Sequence, residues 1–221
     1  MFANLQAFVL ALSSTGLVAA ASSGTASVTP HDKYSSSIGV LGCKIDTNRV
    51  AYFPGTKPID CDTFCVKVTG PKGSEYLLHV DTSGGAWDIS YDAWNKLTTG
   101  QSAKTNPTMG GGVQMSWETV HPSNCLPLLK TSDKTLAFSA NNGMNFVGSC
   151  LSRPGSNWVK EHYSLFNIGS LVCRTGWDER CRLEGADPQA KCAHMLGDPH
   201  PLTSQPVYNI EYGTGKEVLA L

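Results

Sequence analysis

Cys61-Asp-Thr-Phe-Cys65-Val-Lys-Val-Thr-Gly70-Pro-Lys-Gly73-Ser-Glu-Tyr-Leu-Leu-His-Val80-Asp81-Thr-Ser-Gly-Gly-Ala-Trp87-Asp88-Ile-Ser90 is the stretch whose reading decides the fold. Cys65 to Thr69 alternates apolar and polar side chains, the period of a half-buried strand. Gly70-Pro-Lys-Gly73 is a turn, and Tyr76-Leu-Leu-His-Val80 reads as the returning strand of a hairpin. After Ser83-Gly84-Gly85 comes a short strand, Ala86 to Ile89. Ser90 is placed to cap a brief helix, Tyr91 to Leu97, with Asp92 at the positive end of its dipole. Thr99-Gly100 ends that helix, and Val113-Gln-Met-Ser-Trp117 alternates again after Gly110-Gly-Gly112.

Outward from this centre, the composition suits a β-rich, turn-rich protein of an oxidising compartment. Of the 221 residues only 16% are charged, the formal net charge is −1, and glycine is plentiful at 22 residues. The basic residues are scattered, with none of the stripes that nucleic-acid binding requires. The cysteines number eight, at 43, 61, 65, 125, 150, 173, 181 and 192. An even count points to disulfides, with on the order of a hundred connectivities open. A zinc site is disfavoured: Cys61-x3-Cys65 lacks a second knuckle, and Cys192-Ala-His194 with His200 is an incomplete set. No metal or cofactor is expected. Asn106-Pro-Thr108 is blocked as a glycosylation acceptor by its proline.

Residues 1–21 read as a signal peptide. They carry no charged side chain, have an apolar run from Ala7 to Leu12, and end in Ala19-Ala20-Ala21, the small residues a signal peptidase needs. The run is too short for a membrane span, and no later segment approaches that length. Residues 22–37, rich in Ser, Thr and Gly, read as a flexible lead-in. Beyond Leu126, Ser156-Asn157 could cap a helix over Trp158 to Phe166. Cys173 to Cys192 reads as a clamped loop, and Tyr208 to Tyr212 as a late strand.

The ordered series Cys61 to Val68, Leu78 to Ser90 and Ala93-Trp94-Asn-Lys-Leu97, followed by Gly112 to Val120 and Cys125, resembles the double-psi β-barrel of the barwin and expansin group. Asp88-Ile89-Ser90 fills that group's Asp-Leu-Ser/Asp signature and Trp94 its aromatic position. The resemblance spans residues 38–125 and implies a mainly β fold. It predicts a six-stranded double-psi barrel followed by a disulfide-rich α+β C-terminal extension over residues 126–221. It also implies Cys43–Cys61 and Cys65–Cys125 disulfides, with Cys150, Cys173, Cys181 and Cys192 pairing among themselves. The group's further bridge has no counterpart, since its position falls at Thr82 or Ser83.

In catalytic relatives such as certain fungal endoglucanases, two carboxylates flank the glycosidic bond, roughly 6.5–9.5 Å apart when water attacks directly. By motif Asp88 stands at the acid position. The base is expected on an early strand, where Gly39 to Asp46 offers only Asp46. Asp81, close in sequence, is a candidate for the same groove. Both aspartates have a structural alternative, accepting backbone hydrogen bonds in tight turns. Trp87, Trp94 and Trp117 are candidates for a sugar-stacking platform, the alternative being core filling. His79, His121 and His162 lack a Ser or Cys arranged for a triad. The expected function is that of a secreted, monomeric, non-enzymatic binder of cell-wall polysaccharide or of an extracellular host or competitor protein, plausible as a virulence effector. The alternative is an expansin-like wall-loosening protein or glycoside hydrolase acting through Asp88. Export has a direct check: N-terminal sequencing of the secreted chain should begin at Ser22, and retention of Met1 to Ala21 would exclude a cleaved signal.

Overall fold

The computed structural model describes residues 22–185 and 189–221; the expected signal peptide, residues 1–21, lies outside the described residues. In chain order the elements are β1 (Ser23–His31), β2 (Val50–Pro54), β3 (Cys65–Gly70), β4 (Gly73–Ser83), β5 (Trp87–Ser90), α1 (Tyr91–Thr99) and β6 (Val113–Thr119). Then follow β7 (Leu136–Ser139), α2 (Met144–Leu151), α3 (Trp158–His162), β8 (Tyr163–Ile168), β9 (Gly176–Cys181), β10 (Tyr208–Ile210) and β11 (Glu217–Leu219). Strands β1 to β6 form a closed barrel in the order β1-β5-β2-β4-β3-β6. Two pairs are parallel, β1 with β5 and β2 with β4; the others are antiparallel. Among the described residues, no helix is long and apolar enough to cross a membrane.

Residues 22–37 are not a flexible lead-in. Ser23–His31 is a full barrel strand that pairs with β6 on one side and β5 on the other. Its inward positions Ala26 and Val28 are buried while Thr25 and Ser27 are exposed, a proper two-residue alternation written in residues too small to announce a core. Gly24 gives the Trp117 indole its room, since a Cβ there would come within 3.1 Å of the ring. The lumen is filled by Ala26, Val28, Ala51, Phe53, Val66, Val68, Leu77, Ile89, Met115 and Trp117, with Trp94 and Leu97 of α1 in the same cluster.

Ser90 precedes α1, but its side chain does not cap the helix. The hydroxyl donates to the Thr47 carbonyl at 2.7 Å and accepts from Val50 N–H at 3.0 Å, tying the start of α1 to β2. The helix is held instead by Asp92, which pairs with Arg49 at 2.8 Å and accepts from Ser102 and the Ala103 amide. Burial opposes ionisation of Asp92, yet Arg49, Ser102 and Ala103 together keep its carboxyl below the usual range. Gly100 closes the helix in the left-handed conformation, φ 85°.

The residues after Cys125 pack directly on the barrel. Strands β7, β8 and β9 form a separate sheet, and β10 pairs with β11. A single buried cluster joins Tyr52, Phe64, Leu78 and Val80 of the barrel side to Phe138, Val147, Trp158 and Leu165. The helix expected over Trp158 to Phe166 stops at His162, and Tyr163–Ile168 is a strand. Asn157 does cap α3, its Oδ1 accepting from Lys160 N–H at 2.9 Å. The segment Cys173 to Cys192 contains strand β9 and is not wholly loop.

All eight cysteines are paired, as Cys43–Cys173, Cys61–Cys150, Cys65–Cys125 and Cys181–Cys192. Cys65–Cys125 is the bridge the resemblance implied; Cys43–Cys61 is not formed. Residues around Val40 leave the barrel and bridge to Phe138, and Gly42 N–H donates to the Leu171 carbonyl, which delivers Cys43 to Cys173. Cys61 then meets Cys150 on α2. Two of the four C-terminal cysteines therefore cross to the barrel half, leaving Cys181 and Cys192 to pair locally. Four disulfides are compatible with an extracellular protein.

Two predictions follow from this packing. Replacing Cys61 and Cys150 together by alanine, which opens a bridge spanning 89 residues, should lower unfolding free energy by about 2–4 kcal/mol. A urea midpoint equal to wild type would show that bridge to be energetically idle. The second concerns His79, wholly enclosed in the lumen against Phe53 with ring centroids 5.1 Å apart. Burial first, then the Lys57 charge, hold its pKa down at about 3. The unfolded chain takes up a proton there near the ordinary value of about 6.5, whereas the native state does so only near the depressed one. Stability should thus fall as pH drops below about 6.5, and less steeply in His79→Gln; parallel pH curves for the two proteins would refute the assignment.

Candidate functional site

Strand registry brings the two candidate aspartates to one face. Thr29 of β1 lies opposite Asp88 of β5, Asp88 opposite Tyr52 of β2, and Tyr52 opposite Asp81 of β4. Partners in register share a side of the sheet, so Thr29, Asp88, Tyr52 and Asp81 form one row on the outside of the barrel. Their neighbours Val28, Ile89 and Phe53 point into the lumen. The row depends on an irregularity in β4. Leu78 faces Val50 and His79 faces Ala51, but the register then slips and Tyr52 faces Asp81. Regular pairing would set Val80 opposite Tyr52 and turn Asp81 inward against Phe53. The extra residue reverses that side for Asp81 and for Thr82 and Ser83 after it.

Each carboxylate in the row accepts a hydrogen bond from a hydroxyl. Thr29 Oγ1 donates to Asp88 Oδ1, and Ser35 Oγ donates to Asp81 Oδ2. Asp81 Oδ1 also accepts from the Thr82 amide at 2.8 Å. Tyr52 between them is buried and its phenol is pushed well up, by burial first; hydrogen bonding to Ser90 opposes this, and the Asp81 and Asp88 charges add to it. The His31 ring lies 4.5 Å from that of Tyr52. Asp81 and Asp88 stand two strand spacings apart, roughly 9–10 Å along the sheet.

At its β1 edge the row opens into a groove of about 390 Å³ lined by Thr29, His31, Asp32, Gly110, Gly111 and Tyr212. The Tyr212 hydroxyl donates to the Gly110 carbonyl and accepts from its N–H, both at 2.7 Å, fixing the aromatic wall. Gly110 cannot carry a side chain, because a Cβ would meet the Trp94 ring at 2.7 Å. Hydroxyl, carboxylate and imidazole groups beside an aromatic ring can hydrogen-bond and stack a polyhydroxylated ligand.

The other candidates are dispersed. Trp94 is buried beneath the groove, its indole N–H donating to the Val28 carbonyl at 3.0 Å. Trp87 and Trp117 face the lumen and stack on each other, 5.0 Å apart at 24°. The three tryptophans therefore do not form one platform. Asp46 lies in a turn, accepting from Asn48 N–H, and lines a different cavity with Lys130 and Gln205. Cys61, Cys65 and Cys192 are consumed in disulfides, and His194 and His200 both stack on Trp177. Among the described residues no cluster of three or more His, Cys, Asp or Glu could hold a metal.

Thr29, His31 and Asp32 were hidden in the stretch read as a lead-in, and Tyr52 and Tyr212 carried no motif. The alternation Ala26-Ser-Val28 was the one available signal for β1. No protein-family model, curated protein or solved structure shows a significant match to this chain.

Proposed function

We propose that this chain is a secreted barwin-like protein of the double-psi type that binds cell-wall glycan without cleaving it, through the groove between the end of β1 and Gly110-Gly111. The double-psi assignment is supported by the two parallel strand pairs, β1 with β5 and β2 with β4, set in an otherwise antiparallel six-stranded barrel. The observation that carries the binding role is the groove itself, an open channel of about 390 Å³ with an anchored aromatic wall and polar residues along the other. Asp88 accepts from Thr29, a residue of the groove's lining, and fixes that edge, while Asp81, two strands further round the barrel, accepts from Ser35.

One observation favours a second reading, an expansin-like or hydrolytic protein acting through Asp88. Asp81 reaches the same face, at a backbone separation of roughly 9–10 Å that approaches the spacing of inverting carboxylate pairs.

Incubation with insoluble chitin, cellulose and β-glucan tests both. The expected result is depletion of the protein from solution by at least one of them, no released sugar, and retention weakened about tenfold in His31→Ala. Sugar release that Asp88→Asn abolishes would replace the first reading by the second. Failure to bind any of the three would remove the glycan and leave an extracellular protein as the partner class.

A further inference from the structure

The two ends of the barrel are finished differently. At the end where β1 stops and β6 starts, α1 lays Trp94 and Leu97 into the lumen cluster and closes it. At the opposite end, where β2 and β4 stop and β5 starts, barrel side chains provide the closure. Trp87, half-buried, stacks on Trp117, and Phe53 touches both, with centroids at 4.7 and 5.9 Å. Lys57, in the turn after β2, lies over this group with Nζ 6.0 Å from the Trp117 ring centroid.

Lys57 is only 8% exposed, and among the described residues its ammonium has neither a hydrogen bond nor an ion pair. Asp60, the carboxylate that acts on it through space, is itself engaged by Arg153 at 2.8 Å. Desolvation accordingly pulls the lysine pKa down from its ordinary value. The ammonium is not sealed, since it is absent from the fully enclosed polar atoms, which do include three near neighbours. Those are Trp117 Nε1 and both ring nitrogens of His79, enclosed and without a hydrogen-bond partner among the described residues. Lys57 and Trp117 offer only donors, and neutral His79 offers one donor and one acceptor. The enclosed nitrogens lie out of a ligand's reach, but Lys57, its ammonium over the Trp117 ring next to the half-buried Trp87, is a desolvated cation without an anionic partner.

We propose that this barrel end is a second binding site, distinct from the groove, that takes an acidic sugar: a uronate whose carboxylate meets Lys57 while its ring lies on Trp87. The choice of a sugar as bearer of the carboxylate rests on the glycan-binding reading; the demand for an anion rests on Lys57. A neutral sugar would stack on Trp87 but leave the ammonium unpaired, whereas a carboxylate replaces the water the lysine has lost.

The test titrates the full secreted chain with trigalacturonate and follows tryptophan fluorescence, with cellotriose as the neutral control. Expected are a saturable change with trigalacturonate alone and weakening as NaCl is raised. Affinity should fall about tenfold or more in Lys57→Met and be retained in Lys57→Arg. Loss of charge at a desolvated position should leave the fold intact, and the salt response of the wild type reads the same charge without any substitution. An unchanged affinity in Lys57→Met, or no fluorescence response to trigalacturonate, overturns the proposal. If the protein is still retained on chitin, cellulose or β-glucan in that case, the groove reading stands and only the acidic-sugar site falls. If it binds neither, both fall.

Discussion

Strand β1 is hydrogen-bonded along both edges, antiparallel to Val113–Glu118 and parallel to Trp87–Ser90. That double pairing converts five strands with two free edges into a closed barrel, and much of the molecule hangs on it. Trp117 packs against Gly24, the Trp94 indole donates to Val28, and Thr29 donates to Asp88. Each of these contacts uses a backbone position or a small side chain of β1. The strand contributes little apolar surface of its own beyond Ala26 and Val28; its role is to satisfy the backbone groups of its neighbours and leave no edge exposed.

The second constraint is the shared core. Phe138, Val147, Trp158 and Leu165 have no lumen of their own to fill and bury themselves against the outside of β2 and β4. Bridges Cys43–Cys173 and Cys61–Cys150 then fasten the two halves at separate points. The outer face of the barrel is consequently divided. One part is dry and structural, and the remainder carries Asp81, Asp88 and the groove. Tyr52 sits at the boundary, its ring in the shared core and its hydroxyl among Ser35 and Ser90.

The hairpin of β3 and β4, strands β5 and β6 and the helix α1 were legible because their alternation and their turn residues agree with one another. Gly70 to Gly73 permits one chain reversal, and Gly100 ends the helix. Strand β1 was not legible, since Ser, Gly, Thr and Ala give no hydrophobic contrast and its pairing partners are far away in sequence. The strand at Tyr163–Ile168 was obscured by a helix-compatible spacing of apolar residues that the parallel partner Leu136–Ser139 overrides. Apart from Cys65–Cys125, which the resemblance implied, disulfide pairing escaped for the same reason: the path of residues 38–45 toward Phe138 is a tertiary fact with no local mark. On the outer face the motif singles out Asp88 and sequence proximity Asp81, but what sets them in one row, Tyr52 and the slipped register of β4, left no trace in residue type.

That slipped register makes the address of a chemical group a question of parity. Asp81 faces solvent because an odd residue has been added between His79 and it, not because the local sequence is polar. Restoring regular pairing after His79 would turn Asp81 toward the lumen and keep Val80 on the outer, shared-core side, while a substitution at either position leaves their sides unchanged. For such a strand, length is inherited under stricter terms than composition, and the surface chemistry of the barrel is encoded partly by counting.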